Sequence, residues 1–239
     1  MKNKTYKLLN ALDRLLNLII STIALIVLLV SVYSLLDNLW LYRNAFDDTL
    51  LTYKPELNRS DEPENNWISL EGQVAWLCID NSYIDFPVMQ GDSNYEYLSK
   101  DPYGEFKNSG SIFLDYRNAA DLCDKYSMIY GHHMNHYAMF GSLDLFLDDY
   151  YFRNHTTGWI ATQDGIYDLK VFAVSWGDGA DPLLFSPSGK SADDIVDYIE
   201  KNAVINTGYE PGNKIIALST CAGDTFTSRL IVFCMMKMR

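Results

Sequence analysis

Ile215-Ile216-Ala217-Leu218-Ser219-Thr220-Cys221-Ala222-Gly223-Asp224 is followed, after a short polar stretch, by Arg229-Leu230-Ile231-Val232-Phe233-Cys234-Met235. Two apolar runs rich in β-branched and aromatic residues, separated by small and polar ones, predict a hairpin of buried strands. The first run ends on a thiol where an apolar strand opens into the polar loop Ala222-Gly223-Asp224. A side chain at such a point is rigidly held yet reaches solvent, which is what a nucleophile requires. A strand, a short loop and a returning strand would bring Arg229 level with Cys221.

Outward from this hairpin the pattern repeats. Strand-like segments occur at Trp67–Leu70, Val74–Ile79, Ile84–Met89, Gly110–Asp115, Ser127–Tyr130 and Tyr167–Trp176, with Pro87 marking an edge or a bend. Segments at this density, divided by Gly, Asn and Asp turns, predict a barrel or a sandwich. Two helices interrupt them. Ala138–Leu147 carries Met139, Phe140, Leu143, Phe146 and Leu147 on one face. Ser191–Val204 opens with a capping-box-like Ser191-Ala192-Asp193-Asp194 and offers Ile195, Val196 and Ile199 for burial. The domain expected over residues 67–239 is therefore mainly β with helical excursions.

The chain of 239 residues carries 17 Tyr, 11 Phe and 5 Trp, too many large apolar groups for a disordered protein. Leu15 to Leu36 is an uncharged run of 22 residues, which as a helix spans about 33 Å, enough to cross a bilayer core. Lys2, Lys4, Lys7 and Arg14 precede it, opposed only by Asp13, and Asp37, Asp47 and Asp48 follow, with Arg43 alone in between. The positive-inside rule places residues 1–14 in the cytoplasm as a tail, 15–36 across the cell membrane as a single-pass signal anchor, and the rest outside. A cleaved signal peptide would have a shorter apolar core and a small-x-small site, of which Ser31-Val32-Tyr33-Ser34 is a poor version. Residues 37–66 are expected to hold a juxtamembrane amphipathic helix over 37–50 and then a polar linker with Pro55 and Pro63. Beyond the anchor 15 basic residues face 30 acidic ones, in a chain of net charge −12, which argues against a nucleic-acid partner.

Of the four cysteines, Cys78 and Cys234 sit in apolar runs and read as small buried hydrophobes, although an exported domain could pair its thiols. No C-x-x-C occurs. His132, just past the strand end Tyr130-Gly131, is a candidate proton partner for Cys221, and Arg229 a candidate positive neighbour. His132-His133-x-x-His136 invites a zinc reading, but the general-base Glu of a metalloprotease helix is missing and no carboxylate ligand is evident. No metal and no cofactor are expected.

With these residues in place, the sequence resembles the sortase family. Leu218-Ser219-Thr220-Cys221 is similar to the family's Thr-Leu-x-Thr-Cys signature, with Ala217 where the leading Thr stands. Tyr130-Gly131-His132, Met139-Phe140-Gly141-Ser142-Leu143, Ile84-Asp85-Phe86-Pro87-Val88 with Gln90, Asp92, Asn94, Tyr97 and Leu98, and Gly110–Asn118 resemble class B blocks in order. The resemblance covers about Trp67 to Met236. It implies a closed β-barrel and a transpeptidase in which Cys221 forms a thioacyl enzyme with a sorting-signal peptide. His132 would protonate the leaving amine and later accept a proton from the incoming one. Arg229 would stabilise the oxyanion or hold the substrate backbone. Thr220, Ser219, Asn94 and Leu98 would line the peptide site. The implied partners are sorting-signal-bearing surface proteins and an amine of the cell wall. An exported cysteine peptidase that releases its acyl group to water, a pilus-assembling sortase, and a tethered adhesive domain without chemistry remain as alternatives. Asp101-Pro102-Tyr103, which spells a lid motif of the pilus type, is read as a turn.

Overall fold

The computed structural model describes residues 2–45, 48–56, 69–221 and 227–239, with 2–5, 8, 40–45 and 221 described by backbone alone. Trp67 and Ile68, most of the expected linker and the loop Ala222-Gly223-Asp224 lie outside the described residues.

Two units divide the chain near Asn44 and Ala45. The first is a single helix, α1 (Lys2–Ala45), whose segment Leu9–Leu39 is long and apolar enough to cross a membrane and is not buried within the protein. Thr22 and Ser31, two of the polar residues of the run, return their hydroxyls to the Leu18 and Val27 carbonyls, so neither leaves an unmet donor. Residues 37–45 continue α1, and Asp48–Tyr53 form a 3-10 helix in the second unit.

That second unit is a barrel. Its strands are β1 (Gln73–Ile79), β2 (Asp85–Met89), β3 (Ile112–Leu114), β4 (Tyr126–Gly131), β5 (Thr157–Thr162), β6 (Gly165–Asp178), β7 (Ala203–Asn206), β8 (Lys214–Cys221) and β9 (Ser228–Met238). Neighbours run β5-β1-β2-β3-β4-β8-β9-β6-β7, and β5 also pairs with β6. Eight strands thus close on themselves. β6 makes this possible by its length: one edge follows β9 throughout, while the other pairs with β5 over Gly165–Lys170 and with β7 over Ala173–Ser175. Of the barrel or sandwich allowed by strand density, the barrel is the outcome. Among the described residues, closure leaves unpaired edge along short β7 and where neighbouring strands differ in length, as β2 and β3 do.

Pro87 sits where a strand tolerates it. β2 pairs with β3 only at Val88 and Met89, so the missing N–H of Pro87 falls on an open stretch of that edge.

Two apolar clusters flank β8. Leu77, Phe86, Ile112, Ile129, Ile160, Val171, Leu218 and Val232 belong to one cluster that draws on all eight closed strands, hence the barrel interior. Ile215, Ala217, Tyr126, Phe172 and Phe233 belong to a second, on the outer face, covered by α4 (Ala192–Asn202) through Ile195 and Ile199. A strand buried on both faces reads as a continuous apolar run, and Ile215 to Leu218 is one. Helix α4 starts as its sequence predicts. Ser191 caps it, accepting from the Asp194 amide at 3.2 Å and donating to the Asp194 carboxylate at 2.8 Å. It stops at Asn202, and the expected helical end Ala203–Val204 instead begins β7.

The other expected helix differs more. The segment forms a 3-10 helix over Phe140–Leu147 only, preceded by a 3-10 turn at Asn135–Tyr137. Tyr137 (φ 61°) and Met139 (φ 50°) occupy left-handed backbone, which ends any right-handed helix there. A short helix, α2 (Asp149–Asn154), and strand β5 also escape the sequence pattern, β5 because Gly158 and Ala161 dilute a short apolar run. A third short helix, α3 (Pro182–Phe185), begins on Asp181, which accepts from the Leu183 amide. Asp101-Pro102-Tyr103 is a turn: the Asp101 carboxylate accepts from the Tyr103 and Glu105 amides, and its carbonyl from Gly104. Cys78, Cys123 and Cys234 are free thiols. Burial is the main cause that pushes both Cys78 and Cys234 up to about 12, so neither supplies thiolate near neutral pH.

Candidate active site

The parallel pair β4–β8 runs in register from Tyr126↔Ile215 to Gly131↔Thr220. One residue further along the two chains, His132 follows Gly131 and Cys221 follows Thr220. On the other side of β8 the antiparallel partner β9 places Arg229 directly opposite Cys221. The hairpin expected from the sequence is therefore present, in the register that brings Arg229 level with Cys221. Adjacent strands lie about 4.8 Å apart, so the three residues form a row of neighbours with Cys221 in the middle.

Two glycines permit this packing. A side chain at Gly131 would run into Ile112 and Phe140, at 2.4 and 2.7 Å, so the residue before His132 has no room for a Cβ. At Gly179 a Cβ would lie 3.2 Å from the Arg229 guanidinium. The chain there is itself anchored to β9's approach by Gly179 N–H donating to the Thr227 carbonyl.

The two outer members of the row, His132 and Arg229, open on a cleft of about 330 Å³. His132, Arg229, Ser219, Thr220, Asn94 and Leu98 all line it, so the structure brings together every sequence-predicted site residue whose side chain it describes. His132 is half-buried, and its Nε2 is 2.7 Å from the Leu98 carbonyl. A carbonyl only accepts, so Nε2 carries the hydrogen and Nδ1 is the nitrogen left to gain or lose a proton. Leu98 ends a 3-10 turn (Glu96–Leu98), and its backbone thus fixes the imidazole while its side chain reaches the cleft. The Asn94 side chain is engaged at both ends: Nδ2 donates to Asp115 at 2.8 Å, and Oδ1 accepts from the Tyr116 amide at 3.0 Å. Ser219 and Thr220 are 1% and 2% exposed, and their hydroxyls have no hydrogen-bond partner among the described residues. Buried unpaired hydroxyls cost free energy, and because the two residues are consecutive in β8 their side chains turn to opposite faces of the strand.

Sequence reasoning did not single out Arg117, Phe113, Phe185 or Tyr95, nor Tyr130 as more than part of a block, yet all line the cleft. The Tyr130 ring lies between Phe113 and Phe185, with centroids at 5.3 and 6.4 Å. Strand alternation in β4 was the available signal, because Met128 faces outward and Tyr130, two residues on, must share its face. Phe185 and Arg117 come from distant loops and carry no such signal.

His133 and His136 are not among the lining residues. His133 Nε2 pairs instead with the Asp144 carboxylate at 2.7 Å. His132→Ala is expected to lower turnover at least ~10²-fold, the usual scale for a positioned acid–base group, while His133→Ala and His136→Ala cost far less. Steady-state rates of the three variants on one peptide check this. A larger loss at His133 would shift the acid–base role one residue along the chain.

The fold is that of the sortase class of cysteine transpeptidases. Sortase B of Listeria monocytogenes is 34% identical over 155 residues, 62% of this chain and 62% of its own length. Sortase B of Staphylococcus aureus is 28% identical over 165 residues, 66% of this chain and 68% of its own length. The chain thus spans less than two thirds of the Listeria relative. Among solved structures, a Streptococcus pyogenes class B sortase involved in pilus biogenesis is 36% identical with a TM-score of 0.64, covering 70% of this chain and 93% of that one. The S. aureus enzyme has been solved as a substrate complex (26% identity, TM-score 0.64, 70% of this chain, 81% of that one). A sortase B has also been solved in complex with triglycine (26% identity, TM-score 0.63, 70% of this chain, 81% of that one). No protein-family model matches the chain. The chain belongs to the sortase family and is most like its class B members.

Proposed function

We propose that this chain is a membrane-anchored, extracellular cysteine transpeptidase that cleaves a sorting-signal peptide and transfers the acyl part to a cell-wall amine. The observation that carries the reading is the register of three strand ends, Gly131↔Thr220 and Cys221↔Arg229, which sets the backbone of Cys221 between those of His132 and Arg229, two residues that line one cleft.

In this reading the Cys221 sulfur attacks the scissile carbonyl. The resulting oxyanion is met by the Arg229 guanidinium, which keeps its charge at any relevant pH. Collapse to the thioester expels an amine, protonated by His132. The same imidazole then takes a proton from the acceptor amine as it attacks the thioester. A thioester retains acyl energy that an amide-forming step can use. The position of Ser219 and Thr220 along the cleft supports a role in holding the peptide, and Leu98 supplies an apolar contact beside His132. Asn94 shapes the cleft wall from its anchorage on Asp115. Helix α1 supports the anchor over residues 15–36, with Lys2, Lys4, Lys7 and Arg14 on the cytoplasmic side.

Full-length chain in detergent, incubated with a panel of sorting peptides and analysed by intact mass, is expected to accumulate a thioacyl adduct. Added triglycine should then convert the adduct to a peptide–triglycine product. If product formed only by hydrolysis at every amine concentration, the chain would be an exported peptidase instead. The S. pyogenes relative involved in pilus biogenesis favours one further arm, an amine carried by a second protein as acceptor, and faster transfer to it than to triglycine would assign a polymerising role.

A further inference from the structure

A single buried carboxylate ties together the walls of the cleft. Asp115, at the end of β3, is 0% exposed and accepts five hydrogen bonds. Its Oδ1 takes the Arg117 amide at 3.0 Å and Arg117 Nε at 2.8 Å. Its Oδ2 takes Arg117 NH2 at 2.7 Å, Asn94 Nδ2 at 2.8 Å and the Tyr130 hydroxyl at 2.9 Å. Arg117 then reaches across to the opposite wall, donating to the Phe185 carbonyl and, at 3.2 Å, to Ser186 Oγ.

Four separate stretches of chain meet here: the segment holding Asn94 and Leu98, the end of β3, the end of β4 that leads into His132, and the loop that closes α3. None is tied to this point through apolar packing alone. Each is held by a directional, charge-assisted bond, which is roughly twice as strong as a neutral one. A carboxylate so deeply placed is expensive to desolvate, its half-buried guanidinium partner less so, and a fully satisfied pair specifies geometry more than it adds stability.

We propose that Asp115 is the positioning residue of the peptide cleft, setting the spacing between the Asn94–Leu98 wall, Tyr130 and the Phe185 wall through Arg117. It touches no reacting atom. This rests on the transpeptidase reading above, in which the cleft holds the peptide. Asp115 acts directly on the walls and reaches the row only indirectly, through the Leu98 carbonyl on His132, so its loss falls first on peptide binding.

The test is steady-state kinetics of full-length Asp115→Asn and Tyr130→Phe, alone and combined, with the rate of Cys221 alkylation by iodoacetamide as control. Asn keeps the shape but presents an NH2 to the guanidinium, so the bonds from Arg117 weaken first. KM for the peptide should rise about tenfold in Asp115→Asn and less in Tyr130→Phe, with kcat and alkylation changing far less. The combined variant should be less impaired than the product of the two, since both act on one network. Unchanged KM in folded Asp115→Asn would overturn the proposal, as would an equal fall in kcat and in alkylation. If Asp115→Asn does not fold, Tyr130→Phe decides alone: a KM effect sustains the hub, and none overturns it. Wild-type protein that processes no peptide would instead refute the transpeptidase reading, and this proposal would fall with it.

Discussion

Cys221→Ala is expected to abolish both peptide cleavage and amine transfer while leaving the barrel folded. Everything in the proposed reaction passes through the thioester, so no residual route exists in which water or amine attacks the peptide bond at a useful rate. The backbone position explains why the fold should survive. Cys221 is the last residue of β8, beyond Ile215–Leu218, which supply that strand's buried apolar side chains to both clusters. Its ladder partner Arg229 pairs through the backbone, which alanine keeps. A change in stability under about 1 kcal/mol is expected, as for a substitution outside the core, and thermal unfolding measures it. Turnover retained in the variant would remove Cys221 as the nucleophile. Cys78 and Cys234 are poor substitutes, since burial holds both thiols protonated.

Arg229→Lys is expected to be nearly as damaging as Arg229→Ala. Lysine keeps the charge, so the comparison separates charge from geometry. Arg229 starts β9 level with Cys221, and its half-buried guanidinium is packed against Gly179, where a Cβ would lie 3.2 Å away. Its NH1 donates to the Ser228 carbonyl at 3.0 Å. That bond orients the planar fork relative to the strand end. A lysine ammonium is a point charge on a flexible stem and cannot hold both the strand end and an oxyanion. Loss of one oxyanion donor costs ~10²–10³-fold, about 2.7–4 kcal/mol. The measurement is kcat/KM for the three proteins, with alkylation of Cys221 by a small thiol reagent as control. Near-wild-type transfer by the lysine variant would reduce Arg229 to an electrostatic neighbour of the thiolate.

These two experiments bear on residues that local sequence reveals, because each stands at a strand end. The apolar run Ile215–Leu218 stops at Cys221, Tyr130-Gly131 stops at His132, and Arg229 precedes Leu230–Met235. A strand's period of two and its abrupt loss of apolar character are short-range signals, legible without knowing which strands pair. The transmembrane reading of Leu15–Leu36 is equally local, a matter of length and hydropathy. The barrel hairpin needed only a short polar gap between two such runs.

Other features escaped for physical reasons of the same kind. The helix expected from Ala138 is cut back to Phe140 by left-handed backbone at Tyr137 and Met139, which periodicity does not encode. Strand β5 hides because its burial comes from both barrel neighbours, β1 and β6, and not from its own composition. Whether the strands formed a sandwich or a barrel also lay beyond the pattern, since closure depends on β6 being long enough to pair with β5 and β7 along one edge. By itself the sequence determined the mainly β class, the apolar N-terminal helix, and the three strand ends that carry a thiol, an imidazole and a guanidinium. Only the tertiary structure decided their order across the sheet, with Cys221 between His132 and Arg229. It alone decided too that Asn94, Arg117, Tyr130 and Phe185 share one cleft through Asp115. Those contacts join segments far apart in the chain, and a hydrogen bond between distant segments leaves no periodic trace in either of them.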